Sequence, residues 1–546
     1  MVFLLTLLLS VLITIALVPV LGAMAERMQI VDIPDERKVH ERPIPRIGGV
    51  AMAVGAFVPV LLWNFGDAFV RSYLVGAAIV VAFGILDDFR GLGFKWKFLG
   101  QFAAALVVVF LGGVKIHTLG MLLPGGFELP GWVSVPLAVV VIVGVTNAIN
   151  LADGLDGLAG GICLLIFVCI GFLAYLEGDI AIGFVCLAMA GAIFGFLRFN
   201  THPATVFMGD TGSQLLGFSA VTLSLGLTQG NTALSPIVPL LLLGIPVLDT
   251  LFVMIVRLAG GKSPFAADKN HIHHNLMNLG LHQGESVLVI YTCQMALVVA
   301  AFLLRFYSDW LLLGVYLAFS SVAVFLLVVA NGNGWQSRPV TYMPRFAGFR
   351  YLKRLKEEGR VIKPAFRTLQ VGLPLFLVLT CLLPSDLPSY AAYCALGFCG
   401  LIAAIWLVSP ERLGDVLRPV LYLFIPFIAY ESSFAAAGWA KGMPLRLYNT
   451  AFILLAVQVI LVSKFSKRSE GFTSTPLDFL IFFLALVVPN LPDQSIKAYQ
   501  FGQVAAKIVI LYFSYEVLMA ESRREFRFLA GATVAALAVL IARGLV

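Results

Sequence analysis

Residues 134–157 read SVPLAVVVIVGVTNAINLADGLDG. The first two thirds are apolar, and the spacing predicts a membrane-crossing helix near 134–149. The last third changes character. Asn147 and Asn150 stand three residues apart and so share a helix face, and Asp153 and Asp156 continue that interval. Gly154 and Gly157 permit either close backbone approach or a break in the helix. An N-cap turn would account for one such Asn or Asp but not for four. Oxygen donors gathered at the end of an apolar span suit Mg²⁺, which keeps several waters and takes few protein carboxylates alongside substrate phosphates.

Working outward, the whole chain has this apolar character. Of 546 residues, 60% are hydrophobic and 12% are charged, where a soluble domain carries about 25% charged residues. Lipid is therefore the solvent for most of it. About eighteen apolar segments can be placed by a requirement of about 20 residues per span. Eleven are expected near 2–25, 47–66, 70–86, 97–113, 134–149, 158–176, 180–198, 213–228, 234–256, 287–305 and 311–330. Seven more follow near 366–384, 389–408, 416–434, 447–463, 474–489, 499–519 and 526–543. The first lacks a basic n-region and is long for a signal peptide, so it reads as a retained helix. The expected fold is an all-α polytopic bundle. Its organisation is a catalytic membrane unit over 1–330, a basic linker over 331–365 and a multi-span extension over 366–546. The linker's 345–358 stretch reads equally as a surface helix on lipid headgroups or as a solvated loop.

The formal charge of +7 follows topology. With Met1 outside and the spans alternating, most Lys and Arg fall on the cytoplasmic side, as the positive-inside rule requires. A soluble basic surface for nucleic acid is missing from the pattern. The seven Cys lie in or beside apolar segments without metal-ligand spacing, so they read as small core residues.

Ionisable groups at membrane depth cost roughly 2.5–3.5 kcal/mol each and need a partner or a task. In this alternating topology the polar clusters of the first eleven spans all reach the same face. DIPDERKVHERPIPRIGG, from Asp32 to Gly49, places Arg46 before a Pro- and Gly-shaped entry to the second span. Asp87 and Asp88 close the third span, and two adjacent carboxylates there favour a nearby cation; Lys95 and Lys97 follow. NTHPATVFMGDTGS, from Asn200 to Ser213, carries Asp210, whose plain reading is an N-cap. SPFAADKNHIHH, from Ser263 to His274, gathers Lys269, His271, His273 and His274, and suits phosphate oxygens better than zinc. Asp249, inside the ninth span, is expected to pair with Arg257 or with a basic loop. Acids, amides, Lys and His without a nucleophilic Ser or Cys arrangement indicate phosphate chemistry with a metal.

These five motifs, in this order over about residues 1–330, resemble the polyprenyl-phosphate N-acetylhexosamine-1-phosphate transferases. The PIPRIGG and HIHH wordings are closer to the WecA/TagO branch than to the MraY branch. The resemblance implies transfer of N-acetylhexosamine 1-phosphate, most simply GlcNAc 1-phosphate, from a UDP-sugar to undecaprenyl phosphate, releasing UMP. That step would initiate a cell-surface polysaccharide. It implies Mg²⁺, with Mn²⁺ as an alternative, held by Asp210 and Asn150. Asp87 would activate or place the carrier phosphate with Asp88 beside it, and Lys97 would act on the phosphates. Asn147, Asp153, Asp156 and Arg46 would line the substrate pocket, and Lys269, His271, His273 and His274 would grip the diphosphate. The setting implied is the bacterial inner membrane with the site facing the cytoplasm; a homodimer stays open. Two other readings compete, a phospho-MurNAc-pentapeptide transferase and a lipid-linked sugar flippase. The flippase would show inverted repeats and mid-span charges, and neither is visible.

Overall fold

The computed structural model describes residues 2–32, 43–230, 232–263, 270–332, 362–385, 387–434, 442–465, 501–521 and 526–545. It is helical almost throughout, as expected where the backbone must satisfy its own polar groups in lipid. Ten of the described helices are long and apolar enough to cross a membrane, and several shorter apolar helices accompany them. The chain divides into two compact units, the first covering residues 1–339 and the second most of 340–546.

In the first unit the helices are α1 (Val2–Arg27), α2 (Gly48–Asn64), α3 (Ala68–Arg90), α4 (Phe94–Phe110), α5 (Gly131–Ala152), α6 (Leu158–Glu177) and α7 (Ile180–Asn200). They continue as α8 (Gly209–Thr228), α9 (Val238–Leu242), α10 (Gly244–Ala259), α11 (Ile272–Asn278), α12 (Gln283–Leu304) and α13 (Asp309–Gly332). Helix α8 is the hub. It packs on α2, α3, α5 and α6, and nearly every residue from Thr211 to Thr228 is buried. Its small and hydroxylated residues suit helix packing in lipid, where close approach and hydroxyl bonds replace the hydrophobic effect. Tyr73 on α3 and Ser219 on α8 share one such bond at 2.8 Å.

The span expected as one helix over 234–256 is two. It breaks at Leu243 into α9 and α10. The polar groups freed near the break are met by buried Gln294 of α12, which accepts from the Ile245 amide at 3.3 Å and donates to the Leu242 carbonyl at 2.6 Å. Pro239 and Pro246, each missing an N–H, flank the break.

A short antiparallel pair, β1 (Val31–Asp32) and β2 (Ile44–Pro45), precedes α2. The backbone then runs beside residues 207–208. Phe207 donates to the Pro45 carbonyl at 2.8 Å, Gly48 donates to the Phe207 carbonyl at 2.9 Å, and Gly49 donates to the Met208 carbonyl at 3.0 Å. The Pro-Arg-Ile-Gly-Gly entry is thereby stitched to the approach into α8.

The second unit contains α14 (Ile362–Leu382), α15 (Ser389–Val408), α16 (Leu413–Phe434), α17 (Met443–Phe465), α18 (Phe501–Glu521) and α19 (Arg527–Gly544). Its own core is built from Leu369, Leu373, Leu417, Ile425, Leu511 and Leu537 among others. Two of its cations, Arg543 and Lys507, are satisfied by neighbouring groups. Arg543 donates to the Cys381 and Leu382 carbonyls at 3.1 and 2.7 Å, satisfying the end of α14. Lys507 donates to Ser433 at 3.0 Å and sits 5.1 Å from the Tyr448 ring. Six of the seven expected spans fall on these helices; the one expected over 474–489 lies outside the described residues, as do the surface-helix stretch 345–358 and most of the linker.

Candidate active site

Three helix ends meet at the N-terminus of α8. Asp87 and Asp88 close α3, Asn150 closes α5, and Asp210 lies in the first turn of α8. The approach is close because glycines face it. A Cβ at Gly84 would stand 2.5 Å from Thr211 Cα, and one at Gly49 would overlap the Gly212 backbone. Neither position could carry a side chain without moving α8.

Asp210 is not the cap of its helix, contrary to the sequence expectation. Asp88 supplies that function from α3. Its Oδ1 accepts from the Asp210 amide at 2.9 Å, and its Oδ2 accepts from the Thr211 amide at 3.0 Å and the Thr211 hydroxyl at 2.6 Å. With its orphan amides met by a neighbour, the α8 N-terminus leaves the Asp210 side chain turned outward to other work.

Lys97, in the first turn of α4, bridges the two remaining acids. Its ammonium pairs with Asp87 and lies 3.1 Å from Asp210 Oδ1. Asn150 donates to that same Asp210 oxygen at 2.8 Å and to Ser213 Oγ at 2.8 Å. Asp87 also accepts from the Leu92 amide at 2.6 Å, which folds the α3–α4 turn over it. Asn147 lies one turn before Asn150 on α5, partly exposed.

Helix α5 stops at Ala152, so Asp153 and Asp156 do not continue its face as the three-residue spacing suggested. Gly157 takes a positive φ of 78° and begins α6 in a new direction. Asp156 turns to the loop before α8, accepting from His202 Nδ1 at 2.8 Å and the Ala204 amide at 3.1 Å. Its carboxylate raises the His202 pKa. Asp153 stays by the acids. Burial pushes its carboxyl up to about 7, and the charges of Asp210 and Asp156 add to that. Arg46, paired with Asp32, is the cation whose field opposes the rise.

The histidines pack against the α5–α6 loop at Gly154. Asp249 of α10 accepts from His271 Nδ1 at 2.7 Å and from the Ile272 amide at 2.7 Å. The basic loop expected as a partner of Asp249 is thus one that it takes. His273 is buried against Gly154, where any Cβ would overlap its ring. Burial lowers its pKa to about 4, with the His274 charge contributing, so it is neutral near pH 7. The His271 and His273 rings stack at 5.7 Å, and His273 and His274 lie 4.3 Å apart. Lys269 lies outside the described residues.

Sequence reasoning passed over several supports. Asn200 accepts from the Gly157 amide at 3.0 Å and donates to the Val206 carbonyl at 2.9 Å. Tyr291 of α12 donates to the Gly157 carbonyl at 2.6 Å. Asn200 opens the quoted motif and could have been found there; Tyr291 lies far along the chain and carries no local signal.

Among the described residues no three His, Cys, Asp or Glu side chains form a group that could enclose a metal. The donor set instead fits a cation shared with substrate. Asp210 and Asn150 each carry oxygen at one point, and the amide's O and N ends exchange by a flip. Mg²⁺ takes one or two such ligands and completes its shell with water and phosphate oxygens.

A polytopic helical bundle with acids, an amide, a lysine and histidines converging at helix ends defines a membrane-embedded enzyme acting on phosphate groups. The glycosyl transferase family 4 model matches residues 70–228, which hold Asp87, Lys97, Asn150 and Asp210. A probable undecaprenyl-phosphate N-acetylglucosaminyl 1-phosphate transferase of Bacillus subtilis (strain 168) is 39% identical over 328 residues, 60% of this chain and 90% of the relative. An undecaprenyl-phosphate alpha-N-acetylglucosaminyl 1-phosphate transferase of Escherichia coli (strain K12) is 30% identical over 345 residues, 62% of this chain and 90% of the relative. A decaprenyl-phosphate N-acetylglucosaminephosphotransferase of Mycobacterium leprae (strain TN) is 35% identical over 302 residues, 50% of this chain and 75% of the relative. The chain belongs to glycosyl transferase family 4, in its polyprenyl-phosphate sugar-phosphate transferase group.

Proposed function

We propose that this protein transfers N-acetylglucosamine 1-phosphate from UDP-N-acetylglucosamine to undecaprenyl phosphate, releasing UMP. An oxygen of the carrier phosphate bonds to the β-phosphorus of the nucleotide sugar. The bond from that phosphorus to the bridging oxygen breaks, and the electron pair leaves with UMP. The product is a polyprenyl-diphosphate sugar, suited to initiate a surface polysaccharide. The relatives' names support the acceptor and the sugar.

The observation that carries this reading is the Lys97 ammonium between Asp87 and Asp210, with Asn150 on the same Asp210 oxygen. Phosphoryl transfer is governed by positioning and charge neutralisation. Lys97 is placed to neutralise phosphate charge, and Asp87 to position the carrier phosphate. Asp88 holds α8, and therefore Asp210, in place. Asp210 and Asn150 would hold Mg²⁺, which supplies further neutralisation of the diphosphate. His271 and neutral His273, beside the α5–α6 loop, would meet the diphosphate with ring nitrogens, and Arg46 and Asp153 would border the substrate. The site would face the cytoplasm of the inner membrane, where nucleotide sugars are found and where the positive-inside pattern puts these loops.

The test is Asp210→Asn in purified protein with UDP-GlcNAc, undecaprenyl phosphate and Mg²⁺. UMP release is expected to vanish while the thermal unfolding midpoint is kept. Full turnover by that variant would defeat the assignment. A donor panel including UDP-GalNAc identifies the sugar.

A further inference from the structure

The second unit carries a groove between α14 and α17, a cavity of about 650 Å³. One end is polar, lined by Arg367, Thr368 and Gln458. Gln458 donates to the Thr368 hydroxyl at 3.3 Å, and among the described residues Arg367 makes no ion pair. From there the lining turns apolar through Val371, Leu454 and Leu455 to Phe376. Phe376 closes that end, its ring 5.0 Å from Tyr448 and 4.8 Å from Phe452. The ten residues from Arg367 to Phe376 span about 14 Å of helix. Gly372 makes the width, since a Cβ there would meet nothing within 4 Å.

We propose that this groove is a second binding site for the polyprenyl phosphate carrier, with the phosphate at Arg367, Thr368 and Gln458 and the first isoprene units along Val371, Gly372 and Leu454. The inference rests on the transferase reading given above. Charge complementarity selects the occupant. A guanidinium beside neutral hydrogen-bonding side chains matches a phosphate monoester. Among the described residues the lining includes no carboxylate to pair with the amine of a zwitterionic phospholipid. The apolar run ends at a wall of rings, so it takes a chain by its head end and leaves the remainder in the bilayer. The unit would thus hold carrier phosphate on the same chain that converts it to its diphosphate-linked sugar.

The experiment uses the full chain in nanodiscs and an undecaprenyl phosphate bearing a diazirine next to the phosphate. Photolabelled peptides are mapped by mass spectrometry. Label is expected on α14 and α17 as well as in the first unit. Gly372→Leu, which fills open space, and Arg367→Gln are each expected to cut the α14/α17 label about tenfold, the scale of one charge-assisted contact. Both should unfold at the wild-type temperature and keep wild-type UMP release at saturating carrier. Label confined to the first unit, unchanged labelling in both variants, or equal competition by phosphatidylglycerol would overturn the site. Wild-type protein that releases no UMP from UDP-GlcNAc would instead overturn the transferase reading. A groove that fails with UMP release intact fails alone.

Discussion

Lys97 stands between two acids that could not otherwise share so dry a corner. Asp87 is 6% exposed, and a buried carboxylate without its partner is costly. Lys97→Met is therefore expected to act twice: UMP release should fall by about 100-fold or more, the scale of one lost electrostatic stabiliser, and thermal stability should fall with it. Arginine at this position would restore the charge but not the compact single point between two oxygens, so rescue should be partial. His273 carries a pH signature. His273 is 4% exposed, and burial lowers its pKa to about 4 in the folded protein, below the ordinary 6.5 of a histidine. The unfolded chain thus takes up this proton first as pH falls. Stability at this site should be full above pH 6.5, drop on the order of 1–3 kcal/mol between about 6.5 and 4, and level off below. His273→Asn should flatten that part of a pH-dependent unfolding curve.

At the scale of elements, the decisive contact is one helix N-terminus resting against two others. Gly84→Ala inserts a methyl against the Thr211 backbone. Overpacking of this kind costs about 1–3 kcal/mol, and because the displaced group is the first turn of α8, activity should fall more than stability does. A comparison of unfolding midpoint with kcat checks this; loss of stability alone would mean that the Asp210 carboxylate tolerates the shift. These elements also divide what sequence could show from what it could not. Apolar length placed the long helices of the first unit but not short α11, and Asp-Asp, Asn-x-x-Asn and Gly-Asp-Thr-Gly-Ser marked the polar ends that meet. The three-residue interval could not reveal that Asp153 and Asp156 leave the helix, because Gly154 and Gly157 permit both outcomes. Nor could it show that the cap of α8 comes from α3, since Asp88 and Thr211 are 123 residues apart. The break at Leu243 was hidden for a like reason: the side chain that makes it tolerable lies on α12.

At the scale of the molecule, each unit has a core of its own, and all the residues that meet at α8 belong to the first. A chain ending after Ala330 is expected to insert and to keep UMP release at saturating carrier within about threefold, a shift of under 1 kcal/mol. Complete loss in protein that still unfolds cooperatively would give the second unit a direct part in turnover. In the first unit, buried Gln294 bonds both sides of the α9–α10 break. In hydrocarbon a severed helix has no water to heal it, so this one amide works as a splint across the α9–α10 fracture. Asp249 rides on the distal fragment and holds His271 and the Ile272 amide, so the splint bears on where the imidazoles sit. Side chains at one rim of the bundle are in this way held by a joint set deep within it.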